Sequence, residues 1–131
     1  MEFYEAGEEI CCDWMPGEFF QGYRNVLHGG IQATLMDEIA SWIVQVKLKT
    51  AGVTAEMTCR YWRPIYIDAG RITIRARIMG TEKRLASMQV TILDASGSIC
   101  SEGTVKYFLF PENVARERYH YPGVSYFFGE G

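Results

Sequence analysis

Two features in the first third of the chain have the residue types to polarise a carbonyl and to attack it: His28-Gly29-Gly30 and Asp37. The triplet sits where a loop gives way to helical periodicity. The first N–H groups of a helix have no internal partner and carry partial positive charge. A glycine there lets an oxygen approach with no Cβ in the way. The N–H of Gly29 or Gly30 is therefore a candidate oxyanion donor; the plain alternative is an ordinary glycine-containing helix start with His28 packed beneath it. Asp37 lies midway along a mostly apolar helix, where a carboxylate is rare unless paired or functional. It shares a polar stripe with Thr34, Glu38 and Ser41. Glu38 competes for any carboxylate role, and a solvated stripe is the plain alternative for all four.

Spacing adds a constraint. Nine residues separate His28 from Asp37, which is about 13 Å along a helix at 1.5 Å per residue. A reacting carbon must sit within about 3–3.5 Å of its attacking atom, with the oxyanion donor converging on the same centre. One chain cannot bring the two features together. Two chains can, if their helices run antiparallel across a two-fold axis, with Gly29 of one subunit beside Asp37 of the other. An isologous dimer would hold two such sites.

The elements that must position these residues follow from periodicity. From Gly30 to about Lys49, Ile31, Leu35, Ile39, Trp42, Ile43 and Val46 cover one broad face, and Met36, Ala40 and Val44 widen it. A helix apolar over so wide an arc is mostly buried. Lys47 and Lys49 suit the negative end of its dipole, and Gly52 is a candidate terminator. Before it, residues 8–15 read as a strand ended by Pro16-Gly17, and residues 18–27 as loop. After it the period becomes two: strands at 53–61, 71–79, 85–93 and 98–110, with turns at 80–84 and 94–97. Residues 112–131 are aromatic and glycine-rich; a short helix and a tail packed on the body or on a partner are expected. One helix cannot cover such a sheet as a separate layer, so the curved antiparallel sheet should wrap around it.

Composition narrows the function classes. The chain has 131 residues, enough for a single domain spanning 1–131, with its core at about 8–110 and a tail at 111–131. Nearly half of it is hydrophobic, so a sizeable core can form. A net charge of −3 with mixed signs argues against a nucleic-acid surface. Arg60, Arg63, Arg71, Arg75, Arg77, Lys83 and Arg84 cluster in sequence; most read as solvent-facing strand positions. Cys11, Cys12, Cys59 and Cys100 have no metal or redox spacing, and unpaired thiols suit a reducing, cytoplasmic setting. The acidic start lacks a signal-peptide pattern, and the apolar run 39–46 is too short to span a bilayer.

The run from Phe20-Gln21-Gly22-Tyr23 through His28-Gly29-Gly30 to Asp37-Glu38 resembles the hot-dog-fold acyl-CoA thioesterases of the phenylacetate-pathway (PaaI-like) type. Arg60-Tyr61-Trp62-Arg63-Pro64 is similar to that family's strand-end motif, and the likeness covers roughly residues 8–110. The resemblance implies an α+β hot-dog fold, an antiparallel sheet of five to six strands wrapped around one long central helix. It implies hydrolysis of a thioester to free acid and CoA, without metal or organic cofactor. On this pattern Asp37 is the nucleophile or general base, and the N–H of Gly29 polarises the thioester carbonyl. His28 fixes the thioester or the loop, and Thr54 is a helper hydroxyl that positions water. Several relatives place an Asn six residues before the His; here that position is Gly22, and the neighbouring Gln21 is taken as the helper. Arg63, Lys83 and Arg84 are the candidates for the CoA phosphates. The implied partners are an acyl-CoA substrate and further copies of the chain, as a homodimer or dimer of dimers, with neither nucleic acid nor membrane.

Two other readings share this fold. One is a non-catalytic acyl-CoA-binding protein, which would differ by lacking the acid or the donor. The other is an acyl-ACP or enoyl-CoA hydratase or dehydratase, which needs a His and an acid placed to move protons at neighbouring carbons. The glycines and the acid nine residues after the His favour the thioesterase. Trp14, Phe19, Phe20, Tyr23, Trp42 and Trp62 are candidates to line an acyl pocket.

Overall fold

The computed structural model describes residues 2–16, 21–23 and 25–111, and for residues 2 and 21–23 the backbone alone. Strands β1 (Glu2–Ala6) and β2 (Glu9–Trp14) form a hairpin, and a short pair, β3 (Gln21–Tyr23) and β4 (Val26–Leu27), leads into helix α1 (Gly29–Val46). Four strands follow: β5 (Gly52–Tyr61), β6 (Ile72–Glu82), β7 (Leu85–Leu93) and β8 (Ile99–Leu109). Six of these strands make one sheet in the order β1-β2-β6-β7-β8-β5, antiparallel at every pairing. β5 therefore lies at one edge and β1 at the other.

The sheet curls around α1 because both carry the apolar face that the periodicity announces. Met36, Ile39, Ala40, Ile43 and Val44 of the helix are buried, and so are Ile10, Ile72, Ile74, Met88, Val90, Ile92 and Val105 of the strands. All belong to one core. On β6, Ile72, Ile74 and Ala76 face inward while Arg75 and Arg77 are exposed, which is the alternation of a half-exposed antiparallel strand. One close approach depends on a glycine. A Cβ on Gly103 would lie 2.6 Å from the Met36 sulfur and 2.9 Å from the Thr58 carbonyl oxygen. Its absence lets α1 settle onto β8.

The stretch 18–27, expected as loop, contains the paired strands β3 and β4, held by antiparallel backbone bonds, and four further expectations are corrected. β1 was not expected; its five residues are short and acidic, and what holds them is a tertiary contact, Phe3 stacked on Trp42 with ring centroids 5.3 Å apart. The helix stops at Val46, not Lys49. The N–H groups of Lys47 and Leu48 both bond to the Ile43 carbonyl, and Lys49 turns the chain at φ +56°. Gly52 opens β5 and does not end the helix; a Cβ there would sit 2.6 Å from the Phe108 carbonyl oxygen. β6 runs on through Gly80 to Glu82 over a bulge, so the turn is Lys83-Arg84, with Lys83 at φ +55°. By contrast, Asp94–Gly97 turns as expected: Asp94 Oδ1 accepts from the Ser96 hydroxyl at 2.6 Å and from the N–H groups of Ser98 and Ser96, each at 3.0 Å, and these bonds, the Ser96 hydroxyl first, lower its carboxyl pKa. Residues 112–131 lie outside the described residues. No helix among the described residues is long and apolar enough to cross a membrane.

Candidate active site

Asp37 is half-buried on α1, and two strands present hydroxyls to it. The Thr54 hydroxyl, at the start of β5, donates to Asp37 Oδ1 at 2.8 Å. The Tyr107 phenol, near the end of β8, donates to the same oxygen at 2.9 Å and lies 3.3 Å from the Asp37 carbonyl oxygen. The register explains the convergence, since Thr54 and Tyr107 are directly paired across β5 and β8. Burial pushes the Tyr107 phenol above its ordinary range, and the Asp37 charge adds to that push, while the Thr54 and Ser41 hydroxyls oppose it. The phenol thus keeps its proton and serves as a donor. Glu38, the competing carboxylate, is exposed and bonds to no described residue. Tyr107 went unnoticed in the sequence because it reads as one more aromatic on a strand; only the β5–β8 register marks it.

The start of α1 forms the second half. His28 is the N-cap: its Nδ1 accepts the Gly30 N–H at 2.8 Å. Its carbonyl accepts from Ile31 and Gln32. A Cβ on Gly30 would lie 3.0 Å from that Nδ1, so a side chain there would crowd the cap. The alternatives left open by the sequence thus narrow. The Gly30 N–H is already bonded, whereas the Gly29 N–H has no partner among the described residues. Gly29 is held by the Tyr61 phenol, which donates to its carbonyl at 2.8 Å. With Val26, Leu27, Gln32, Tyr61, Trp62, Arg63 and Pro64 it lines an open groove of about 260 Å³. Tyr61 closes β5, and the N–H groups of Trp62 and Arg63 both bond to the Cys100 carbonyl, fixing the strand end beside the helix start.

The two halves lie apart in one protomer. Gly29 and Asp37 are eight residues along α1, about 12 Å at 1.5 Å per residue. Their partners Tyr61 and Thr54 stand at opposite ends of β5. The basic candidates divide in the same way. Arg63 shares the Gly29 groove, whereas Lys83 and Arg84 flank a second groove with Glu82, Leu85 and Phe108, close to the Thr54 end. The side chain of Gln21 lies outside the described residues; its backbone pairs with Leu27, just before the helix. Of the aromatics expected at an acyl pocket, Trp62 lies at the Gly29 groove and is exposed. Trp42 stacks on Phe3, and Trp14 packs against the core. Phe19, Phe20 and the Tyr23 side chain lie outside the described residues.

Residues 24–101 match the family model described as the thioesterase superfamily. Mouse acyl-coenzyme A thioesterase 13 is 30% identical over 100 residues, which cover 75% of this chain and 71% of that protein. A hypothetical thioesterase from Streptococcus pneumoniae TIGR4, solved with coenzyme A, superposes with a TM-score of 0.77 at 21% identity, over 85% of this chain and 89% of the other. The Streptococcus mutans UA159 protein smu.793, solved with acetyl CoA, gives 0.74 at 17% identity, over 86% and 91%. The chain belongs to the thioesterase superfamily. The expected hot-dog fold and thioesterase class are borne out, and the sheet has six strands.

Proposed function

We propose that this protein hydrolyses acyl-CoA thioesters to free acid and CoA, in sites built from two copies of the chain. The observation that carries the reading is Asp37, a half-buried helix carboxylate held by hydroxyls from two strands, in a chain of the thioesterase superfamily. The CoA bound to similar folds supports the carrier. The carbonyl oxygen of the thioester takes the Gly29 N–H, which has no partner among the described residues, where the helix start favours developing negative charge. Asp37 acts as general base: it accepts a proton from water as the water oxygen bonds to the carbonyl carbon, the C–S bond then breaks, and the thiolate leaves and is protonated. Direct attack by the carboxylate, followed by hydrolysis of the anhydride, uses the same atoms. No step calls for a metal or organic cofactor.

Convergence of the halves needs the second copy. β5 is an edge strand of the sheet, and among the described residues no strand pairs with its outer row of N–H and C=O groups, the side to which another copy can add. Antiparallel pairing of two β5 strands sets the Thr54 end of one against the Tyr61 end of the other. That brings Asp37 of one copy toward Gly29 of its partner. The same operation brings Lys83 and Arg84 toward the partner's Arg63, a basic rim for the CoA phosphates. His28 then serves as the cap that fixes the loop, Thr54 orients Asp37 and water, and Gln21 is the helper before the helix. The free cysteines suit a cytoplasmic setting.

The test is a panel of acyl-CoAs with a free-thiol readout, on wild type and Asp37→Asn. Turnover should fall by about 10²–10⁴, the range for loss of a general base, with binding retained. Equal activity in the two proteins would remove Asp37 from the reaction. Tight binding without turnover of any acyl-CoA would make the wild-type chain a binder.

A further inference from the structure

The bonds to Asp37 have an asymmetry. A carboxylate has two oxygens, each with two lone-pair directions. Thr54 and Tyr107 both donate to Oδ1, at 2.8 and 2.9 Å, and so occupy both of its directions. Oδ2 takes no hydrogen bond or ion pair from any described residue. Two donors on one oxygen fix the plane of the carboxyl group and present the other oxygen in a defined direction. We propose that Tyr107 is a positioning residue of this site: with Thr54 it engages Asp37 Oδ1 and makes Oδ2 the atom that takes the proton or attacks. The inference rests on the thioesterase reading and deepens it, for it names the working atom and a residue that directs it.

Tyr107 is well built for this task. It is 4% exposed, so its ring is set by the core and not by solvent. Its neighbours across the sheet, Thr54 on β5 and Ala86 on β7, are fixed by register. An aromatic ring on a strand has two side-chain torsions to immobilise, and here packing has already immobilised them, so little entropy is lost in aiming the hydroxyl. Purely apolar packing would be served equally by phenylalanine, which would leave the Thr54 hydroxyl as the single donor on Oδ1.

Among the described residues, the groups that face Asp37 are few. β5 presents Thr54, β8 presents Tyr107, and on α1 itself Glu38 follows in sequence and Ser41 lies one turn on. The nearest ion pair on these two strands, Lys106 with Glu56 at 3.6 Å, belongs to the outer face. Loss of the Tyr107 bond would leave Thr54 as the single donor on Oδ1, and one donor does not fix the plane of the carboxyl group.

The experiment compares Tyr107→Phe, Thr54→Val and Asp37→Asn, with the double variants of each hydroxyl change on Asp37→Asn. Tyr107→Phe keeps the ring and removes the donor. We expect kcat to fall roughly tenfold, the scale of one hydrogen bond to a charged group, with KM within about twofold of wild type. On the Asp37→Asn background, Tyr107→Phe should have little further effect on kcat, because the carboxylate it directs is gone. An unchanged kcat, or the same fold-loss on both backgrounds, would reduce Tyr107 to packing and overturn the proposal. The NMR chemical shift of the Asp37 carboxyl carbon at neutral pH, in wild type and Tyr107→Phe, does not depend on turnover. A changed resonance there supports the Tyr107–Asp37 link even if no acyl-CoA is cleaved, and an unmoved one sinks it. Failure of the thioesterase reading is seen separately, as wild-type turnover in Asp37→Asn or none in wild type.

Discussion

At the scale of residues, the candidate site divides into groups whose chemistry declares itself and groups that only their neighbours reveal. Asp37 and Gly29 belong to the first kind: a carboxylate amid apolar helix and a glycine at a helix start are odd enough to notice in a sequence. Tyr107 and Tyr61 belong to the second. Their types are ordinary for strands, and their roles come from what lies across the sheet or above it. Both phenols are also held above their ordinary range, Tyr107 by burial and then by the Asp37 charge, Tyr61 by burial and then by Cys59. A raised phenol keeps its proton in the fold at a pH where the unfolded chain has lost it. The native state then binds more protons than the unfolded one, and stability falls as pH rises. The stability is full below the unfolded phenol value of about 10 and declines above it, toward the folded value. Burial also raises the Cys11 and Cys100 thiols, so urea midpoints measured from pH 8 upward should begin to fall with the thiols and fall further above the unfolded phenol value, and Tyr107→Phe should flatten that later part. An equal slope in both proteins would show that the Tyr107 titration is not linked to folding.

At the scale of elements, α1 lies across the concave face of the sheet as its apolar arc requires, and the contact is closest where β8 carries Gly103. The predicted consequence is specific. In Gly103→Val the added carbon meets the Met36 sulfur and the Thr58 carbonyl oxygen, and the second of these is backbone that cannot swing away. The variant should lose about 1–3 kcal/mol, the usual cost of overpacking a core, read as a lower urea midpoint. Asp37 sits one residue from Met36, so the same displacement should also lower turnover. Unaltered stability would mean that α1 can ride up from β8 freely. The strand periods and the helical period were legible without the structure, and the Leu85–Leu93 strand has the expected limits. The helix end and the opening of β5 were not. Gly52 is compatible with a helix stop on residue type alone, and what makes it a strand residue is the Phe108 carbonyl from a distant segment.

At the scale of the whole molecule, the separation of Gly29 from Asp37 along one helix governs everything else. If each site joins the two features across a two-fold axis, two dead variants can rescue one another. Gly29→Pro removes the free N–H at the first helical position, where proline is well tolerated, and Asp37→Asn removes the base. Each alone should be inactive. Refolded together, half of the dimers are mixed and each of these holds one intact site, so roughly a quarter of wild-type activity should return. Absence of rescue, with mixed dimers demonstrated, would place both groups of a site in the same chain. The sequence by itself determined the fold class, the buried helix, the four later strands and the pairing of a helix-start glycine with an acid too distant to meet it. These are local matters: periodicity, residue type and the rise of a helix per residue. The cap of His28 on the Gly30 N–H is likewise local. Tertiary structure alone decided that β5 lies at an edge among the described strands and that Thr54 and Tyr107 meet on one oxygen of Asp37. Both depend on strand register and on contacts between segments far apart in the chain, and no short-range pattern encodes them. The two features that opened the reading, His28-Gly29-Gly30 and Asp37, are thereby given distinct partners: Tyr61 for the glycine, and Thr54 with Tyr107 for the acid.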